Sequence, residues 1–284
     1  MVCVIGACAV DAVARRETYR RGTSNPSEIR LAAGGVGYRI FRALNGPRTL
    51  ITALGGDALG SWLGEQLRQE DGAMPLVIPG FRSGCYLALM QRGELLYGAA
   101  DMAVIEQGLD WPRLQPHLPP LGAADLLVLE ANLAPALVRR LLAQYAGRVR
   151  IIFESVSVEK LSRHAPNLEG LYLLSGNEEE IAALVPQEAA APKAGTIAEF
   201  LTQRRIDHLL ITRGGGGVRL CARWAPGKPL DLPPRRRAQK ADTTGAGDRL
   251  LAGLLSALGR GLELPDAVAS GMEEVEKALE EGTL

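Results

Sequence analysis

Six short, mainly apolar runs, at residues 2–7, 50–54, 126–129, 149–153, 171–174 and 209–212, set what this chain can fold into. Each is rich in Leu, Ile or Val and lacks the polar alternation of a strand with one wet face. Each therefore reads as a strand buried on both faces of a parallel sheet. Between them lie helical patterns: residues 57–68 place Leu59, Leu63 and Leu67 on one face, and residues 135–145, 178–184, 197–204 and 265–281 continue the alternation. Such alternation predicts an α/β chain, a three-layer sandwich with helices covering a mainly parallel central sheet. With 284 residues, 47% of them hydrophobic, the chain has enough apolar material for a well-buried core, and residues 1–284 read as one domain.

Two segments interrupt the alternation. Residues 12–33 are polar and punctuated by Gly and Pro. Residues 86–91 and 95–100 are two short runs around Arg92-Gly93-Glu94, the pattern of a hairpin. The Pro/Ala-rich residues 186–194 read as an exposed loop.

Charge narrows the partners. Lys and Arg total 32 and Asp and Glu also total 32, so no overall field draws the chain to nucleic acid or an anionic membrane. A small-molecule partner is expected instead. The basic run Arg235-Arg236-Arg237, with Lys240, reads as a solvated loop. The four cysteines are scattered without a CxxC pair, as reduced thiols of a cytosolic protein are. His117, His164 and His208 stand too far apart in sequence to suggest a zinc site. Residues 1–10 are apolar but too short to span a bilayer, and no basic segment precedes them. They read as a buried first strand of a cytoplasmic protein.

The stretch with most chemistry is Asp242-Thr243-Thr244-Gly245-Ala246-Gly247-Asp248, followed by an apolar run of helical length, residues 250–258. Two glycines let the backbone turn with its N–H groups pointing one way, and the first turn of a helix carries unpaired donors and partial positive charge. Such a turn holds a phosphate-like anion. Asp248 stands where it can take a proton from a hydroxyl attacking that phosphate. The same spacing also fits a plain glycine turn capped by an aspartate. No GxxxxGK[ST] loop is present, and Gly214-Gly215-Gly216-Gly217 lies between two strand patterns instead of opening a helix. That run permits either close backbone approach to a base or ribose, or a flexible hairpin turn.

Taken together, these motifs resemble the ribokinase-like (PfkB) family of carbohydrate and nucleoside kinases. The resemblance rests on Asp242 to Asp248 and, in the family's order, on Val10-Asp11, Ser24-Asn25-Pro26, Gly34-Gly35-Val36-Gly37, Asp57-Ala58-Leu59-Gly60, Asp101-Met102, Asn177-Glu178-Glu179-Glu180 and Thr212-Arg213-Gly214-Gly215-Gly216-Gly217. Gly-Gly-Val-Gly, the Asp-Met pair and Ser155-Val156-Ser157-Val158-Glu159-Lys160 are most similar to the pseudouridine kinase branch.

The resemblance implies a ribokinase-like sandwich with a small β lid, roughly residues 12–33 and 85–104, closing over the substrate. It implies an ATP- and Mg²⁺-dependent phosphotransferase, with K⁺ as a candidate activating cation and a homodimer through the lid as a candidate assembly. Asp248 would be the base, and Gly245, Ala246 and Gly247 would offer N–H groups to the transferring phosphoryl. Asn177 and Glu180 match the NxxE motif that organises Mg²⁺ and its waters. Thr212, Gly214, Gly215, Gly217 and Thr244 would lie beside ATP. Asp11 at the end of the first strand would accept bonds from ribose hydroxyls, with Gly34, Gly35 and Gly37 letting backbone approach the sugar. Asp101 would contact the base, and Lys160 would help position phosphate or substrate. Read without the resemblance, Asp11 is more often a turn or cap residue, the three glutamates more often an ordinary acidic first turn, and Lys160 more often a solvated helix lysine. The chain departs from the family pattern at Arg39, where relatives carry an asparagine that contacts the sugar. Arginine is long, charged and donor-only, so either Arg39 points elsewhere or the pocket receives a different, even anionic, ligand.

Overall fold

The computed structural model describes residues 1–185, 194–234 and 245–281. Residues 186–193, the run Arg235-Arg236-Arg237 with Lys240, and Asp242, Thr243 and Thr244 lie outside them. The amino-terminal part contains β1 (Val2–Ile5), β2 (Ala9–Arg16), β3 (Glu28–Gly34), β4 (Arg48–Gly55), β5 (Ala73–Ile78), β6 (Gly84–Gln91) and β7 (Glu94–Asp101), with helices α1 (Val36–Ala43) and α2 (Ala58–Leu67). A short α3 (Trp111–Leu114) leads to β8 (Leu126–Glu130), α4 (Pro135–Tyr145), β9 (Arg150–Glu154), α5 (Val158–His164), β10 (Leu173–Asn177) and α6 (Glu178–Ala182). The remainder is α7 (Ala194–Arg204), β11 (His208–Thr212), β12 (Val218–Ala222), β13 (Leu230–Leu232), α8 (Ala246–Gly259) and α9 (Leu264–Glu281).

Among the described residues a nine-stranded sheet runs β13-β12-β11-β10-β9-β8-β1-β4-β5. Pairing is parallel from β11 to β5 and antiparallel for β11–β12 and β12–β13. Alternation along the central strands divides the core in two. Val2 and Val4 of β1, with Leu126 and Val128 of β8, pack on the side of α1, α2, α8 and α9. Cys3 and Ile5, with Leu127 and Leu129, face α4, α5, α6 and α7. The three-layer α/β sandwich read from the apolar runs is the fold observed, and all six runs are strands of this sheet. No described helix is long and apolar enough to cross a membrane.

Two details depart from the sequence reading. The apolar run 1–10 is two strands, because at Gly6 to Cys8 the chain leaves the main sheet for the smaller one. A side chain at Gly6 would press on Glu130 Cγ at 2.8 Å, so only glycine fits the crossing. The second departure is β5, an edge strand with alternating partial burial that tolerates Pro75 because one side needs no ladder bond.

The second sheet has the order β3-β2-β6-β7. The expected hairpin around Arg92-Gly93-Glu94 is β6–β7, and the polar segment 12–33 contains β3 and most of β2. Register sorts this sheet into two faces. One carries Asp11 beside Ala32 and Tyr86, then Val13 beside Arg30 and Ala88. The opposite face carries the apolar rows Leu31, Ala12, Leu87, Ala99 and Ile29, Ala14, Leu89, Tyr97. The first face roofs the site.

Candidate active site

Helix α8 delivers the acid. Gly245 precedes it at φ 88°, a left-handed conformation that favours glycine, and Asp248 falls in the first turn. Leu250, Leu251, Leu254 and Leu255 bury the following turns, which fixes where the helix begins. The Asp248 side chain is only 13% exposed. Burial pushes its carboxyl up to about 7; Arg39 opposes the rise, while Glu130 and Asp11 add to it. A carboxyl near 7 is matched to proton transfer at neutral pH. The first-turn N–H groups have no partner inside the helix and present a partial positive charge beside it.

Across from α8, Asp11 sits in β2. It is not at the end of the first strand, as the sequence suggested, because that strand stops at Ile5. Its carboxylate accepts from the Arg39 guanidinium, whose other terminal nitrogen lies 3.7 Å from Asp248 Oδ2. Arg39 thus points into the site and joins the two acids. Burial raises the Asp11 carboxyl, and Arg39 pulls it back down. Asp11, Arg39, Tyr86, Gly245, Asp248 and Arg249 line one cavity of about 890 Å³ under the small sheet.

The glycines before α1 serve the chain more than an open approach to a ligand. A side chain at Gly34 would overlap the Asp11 carboxylate. At Gly37 it would stand 2.6 Å from the Gly6 backbone, and Gly35 holds φ 92° with its notional Cβ 2.6 Å from the Ala7 carbonyl oxygen. They let α1 dock on the β1–β2 crossing, and that docking aims Arg39.

Carboxylates gather at the carboxyl ends of the parallel strands, where open α/β sheets bind ligands. Glu130 closes β8 and is fully buried. It accepts from the Ala7 N–H at 2.8 Å, the Asn132 N–H at 3.0 Å and the Asn132 side-chain amide at 2.5 Å. Burial raises its carboxyl, and those bonds oppose the rise. Glu154 closes β9. Burial holds it well above the usual carboxylate range, Ser175 opposes this, and Asp248, Glu180 and Glu130 add to it. Its Oε2 has no hydrogen-bond partner among the described residues. Sequence reading did not assign either acid a role; the available signal was a carboxylate ending an apolar strand run.

Asn177 and Glu180 form a capping box on α6. The Asn177 side chain accepts from the Glu180 N–H at 2.9 Å, and Glu180 Oε2 accepts from the Asn177 N–H at 2.8 Å. Ser155 Oγ donates to the same Glu180 oxygen at 2.5 Å, from a turn in which Val156 holds φ 64°, a strained value for a β-branched residue. This all-oxygen donor set suits Mg²⁺. No described group of three or more His, Cys, Asp or Glu is arranged to hold a metal unaided, so the fit is that of an ion drawing most ligands from phosphates and water.

The other expected contacts lie away from the cavity lining. Asp101 ends β7 half-exposed, accepts from the Ala103 N–H at 3.2 Å and faces Arg82 at 3.9 Å. Lys160 is neither solvated nor in the cavity: it donates to Asn132 Oδ1 and lies 3.5 Å from Glu106, so it braces the Glu130 cluster from behind. Thr212 pairs with Asn177 at the sheet's carboxyl end, and Gly214–Gly216 form a tight turn leading to β12. Gly214 and Gly215 face open space, whereas a side chain at Gly217 would overlap the Leu232 carbonyl oxygen.

A buried acid near neutral pKa, an unpaired helix start and oxygen ligands for a hard cation are the parts of a phosphoryl-transfer site. The chain is similar to known kinases over most of its length. The pseudouridine kinase of Escherichia coli is 26% identical over 280 residues, covering 94% of this chain and 86% of that protein. The pseudouridine kinase of Arabidopsis thaliana is 24% identical over 348 residues, covering 98% and 90%. The structure of Arabidopsis thaliana ribokinase complexed with ribose and ATP superposes with a TM-score of 0.76 at 18% identity, covering 98% and 92%. The profile of the pfkB family carbohydrate kinases matches residues 1–273, and the chain belongs to that family of phosphotransferases acting on alcohol groups.

Proposed function

We propose that this protein is an ATP- and Mg²⁺-dependent kinase that phosphorylates the 5′-hydroxyl of a ribonucleoside, converting pseudouridine to pseudouridine 5′-phosphate. The observation that carries the reading is Asp248 at the start of α8, linked through Arg39 to Asp11 in one roofed cavity. The two pseudouridine kinases among the relatives support the choice of acceptor.

In this reading Asp11 and Arg39 orient the acceptor sugar, and the Asp248 carboxylate accepts the proton of the attacking hydroxyl. The N–H groups of Gly245, Ala246 and Gly247 would meet the transferring phosphoryl, and Thr212, Gly214, Gly215 and Gly217 would face the nucleotide; Thr244, given the same role from sequence, is outside the described residues. Asn177 and Glu180 would hold the metal. Mg²⁺, when bound with ATP, neutralises phosphate charge; K⁺ is a candidate second cation.

ADP release from Mg-ATP, measured with pseudouridine, uridine, cytidine, adenosine, ribose and fructose supplied separately, tests the assignment. Turnover is expected with pseudouridine above the others. Turnover with a different member moves the acceptor while keeping the kinase. The specific observation favouring that second reading is Arg39 in place of a neutral sugar contact. Folded protein that binds an acceptor and Mg-ATP without turnover is instead a binding protein on the same scaffold.

The outer face of the small sheet supports a homodimer. Ile29 (66% exposed), Leu31 (61%) and Tyr97 (63%) stand on rows without a charged side chain, a mainly apolar surface suited to a second copy. Leu31→Glu is expected to convert a dimer to a monomer in sedimentation equilibrium. Wild-type protein that sediments as a monomer at micromolar concentration removes this part of the proposal.

A further inference from the structure

The geometry points to Arg39 as a catalytic residue of this chain's own: we infer that its guanidinium binds the phosphoryl group in flight, between Asp248 and the start of α8. The inference rests on the kinase reading and adds a role that the Asp248 base and the α8 donors do not fill.

Position is the first argument. One terminal nitrogen of Arg39 is 3.7 Å from Asp248 Oδ2 and 3.9 Å from the point where a side chain on Gly245 would begin. The guanidinium therefore stands at the helix start, beside the base. Its other terminal nitrogen is held by Asp11, so the planar fork is fixed from behind. About a third of the side chain remains exposed to the cavity, so an incoming oxygen can reach it.

Charge is the second argument. Before reaction the guanidinium is shared by two carboxylates. In the transfer step the acceptor oxygen bonds to the γ-phosphorus, and the bond from that phosphorus to the β–γ bridging oxygen breaks. Its electron pair leaves on ADP, and the hydroxyl proton passes to Asp248. Asp248 thereby becomes neutral at the moment when the phosphoryl oxygens arrive beside Arg39. The guanidinium then exchanges its attraction to the base for one to the phosphoryl, an interaction stronger in the transition state than in the ground state. A neutral asparagine at this position can bind a sugar hydroxyl but supplies no such charge.

Arg15, Arg30, Arg42 and Arg249 also line the cavity. Arg30 lies 2.6 Å from Glu28, Arg42 3.6 Å from Glu70 and Arg249 3.8 Å from Glu274. Glu28, Glu70 and Glu274 do not take part in the reaction. Arg39 is paired with the acid that is neutralised during it.

The test compares wild type with Arg39→Gln and Arg39→Lys by calorimetric binding of Mg-ADP alone and of Mg-ADP with aluminium fluoride, a planar mimic of the transferring phosphoryl. Slow ATP hydrolysis, with water as acceptor, gives a turnover readout that needs no identified substrate. Arg39→Gln is expected to bind Mg-ADP as wild type does, bind the fluoride complex about 10²-fold more weakly and lose kcat by a similar factor. Arg39→Lys should recover part of both. The pH limb of turnover in Arg39→Gln should also lie higher, because the charge that opposes the rise at Asp248 is gone while Asp11, Glu130 and Glu154 remain. Equal fluoride-complex affinity in wild type and Arg39→Gln, with wild type binding Mg-ADP, overturns this inference alone. Wild type that binds no Mg-nucleotide overturns the kinase reading and the inference together. If Arg39→Gln does not fold, Arg39→Lys decides: wild-type fluoride affinity and kcat in that variant overturn the role of the fork.

Discussion

Asp248→Asn is expected to lower kcat by about 10²- to 10⁴-fold while leaving Mg-ATP binding measurable, because it removes the proton acceptor and keeps the shape of the site. In the wild type, kcat/KM should rise with pH through a limb near 7, since the base works only when ionised and its carboxyl is pushed up to about 7. The asparagine variant should lack that limb. A variant that retains wild-type turnover removes the assigned role.

The same substitution is expected to stabilise the fold above neutral pH. A carboxyl raised from 3.8 to about 7 binds its proton more tightly when folded. The ionised form therefore costs stability progressively as pH climbs through that window, and in full above it. At ~1.4 kcal/mol per pKa unit the cost reaches about 4 kcal/mol, so recovery of even a quarter would move Tm by a few degrees. Thermal melts of both proteins at pH 8 should differ, and near pH 4 they should converge. A gain of equal size at both pH values would show that burial of charge is not its source.

Glu130→Ala is expected to cost about 3–5 kcal/mol in urea unfolding, among the largest single-residue losses in the chain. It would leave the Ala7 N–H, the Asn132 N–H and the Asn132 side-chain amide unpaired in a fully buried place. It would also open a void under the crossing from β1 to β2. Glu130→Gln keeps the volume and one acceptor oxygen, so it should fold. In that variant the pH limb of kcat/KM should move down, because Glu130 is among the groups that raise Asp248. An unmoved limb would mean that Glu130 acts on the fold alone.

How much of this was legible beforehand depended on the range of the interaction. The runs at residues 126–129 and 149–153 announced β8 and β9 because burial on both faces calls for apolar side chains nearly throughout, with Arg150 the one exception. The Gly245 to Asp248 turn was legible because left-handed backbone and a helix start are local events. The helical pattern read from residue 57 is of the same kind: α2 is capped there by Asp57, whose side chain accepts from the Gly60 N–H at 2.8 Å. The break within residues 1–10 was not legible, since the Ala7 N–H at the break is taken by Glu130, 123 residues along the chain. Lys160 was misread for the same reason, with its partners Asn132 and Glu106 on other elements.

The sequence by itself determined the layers, the buried strands of the six apolar runs and the acid at the start of α8, because periodicity, burial and turn chemistry act between near neighbours. Only the tertiary structure decided that Asp11 lies in the smaller sheet and that Glu130 and Glu154 crowd Asp248. It also decided that Arg39 turns inward to join two acids at positions 11 and 248. Those are effects of charge and packing between distant segments, set by how β1, α1 and α8 meet, and no spacing within a single element encodes them.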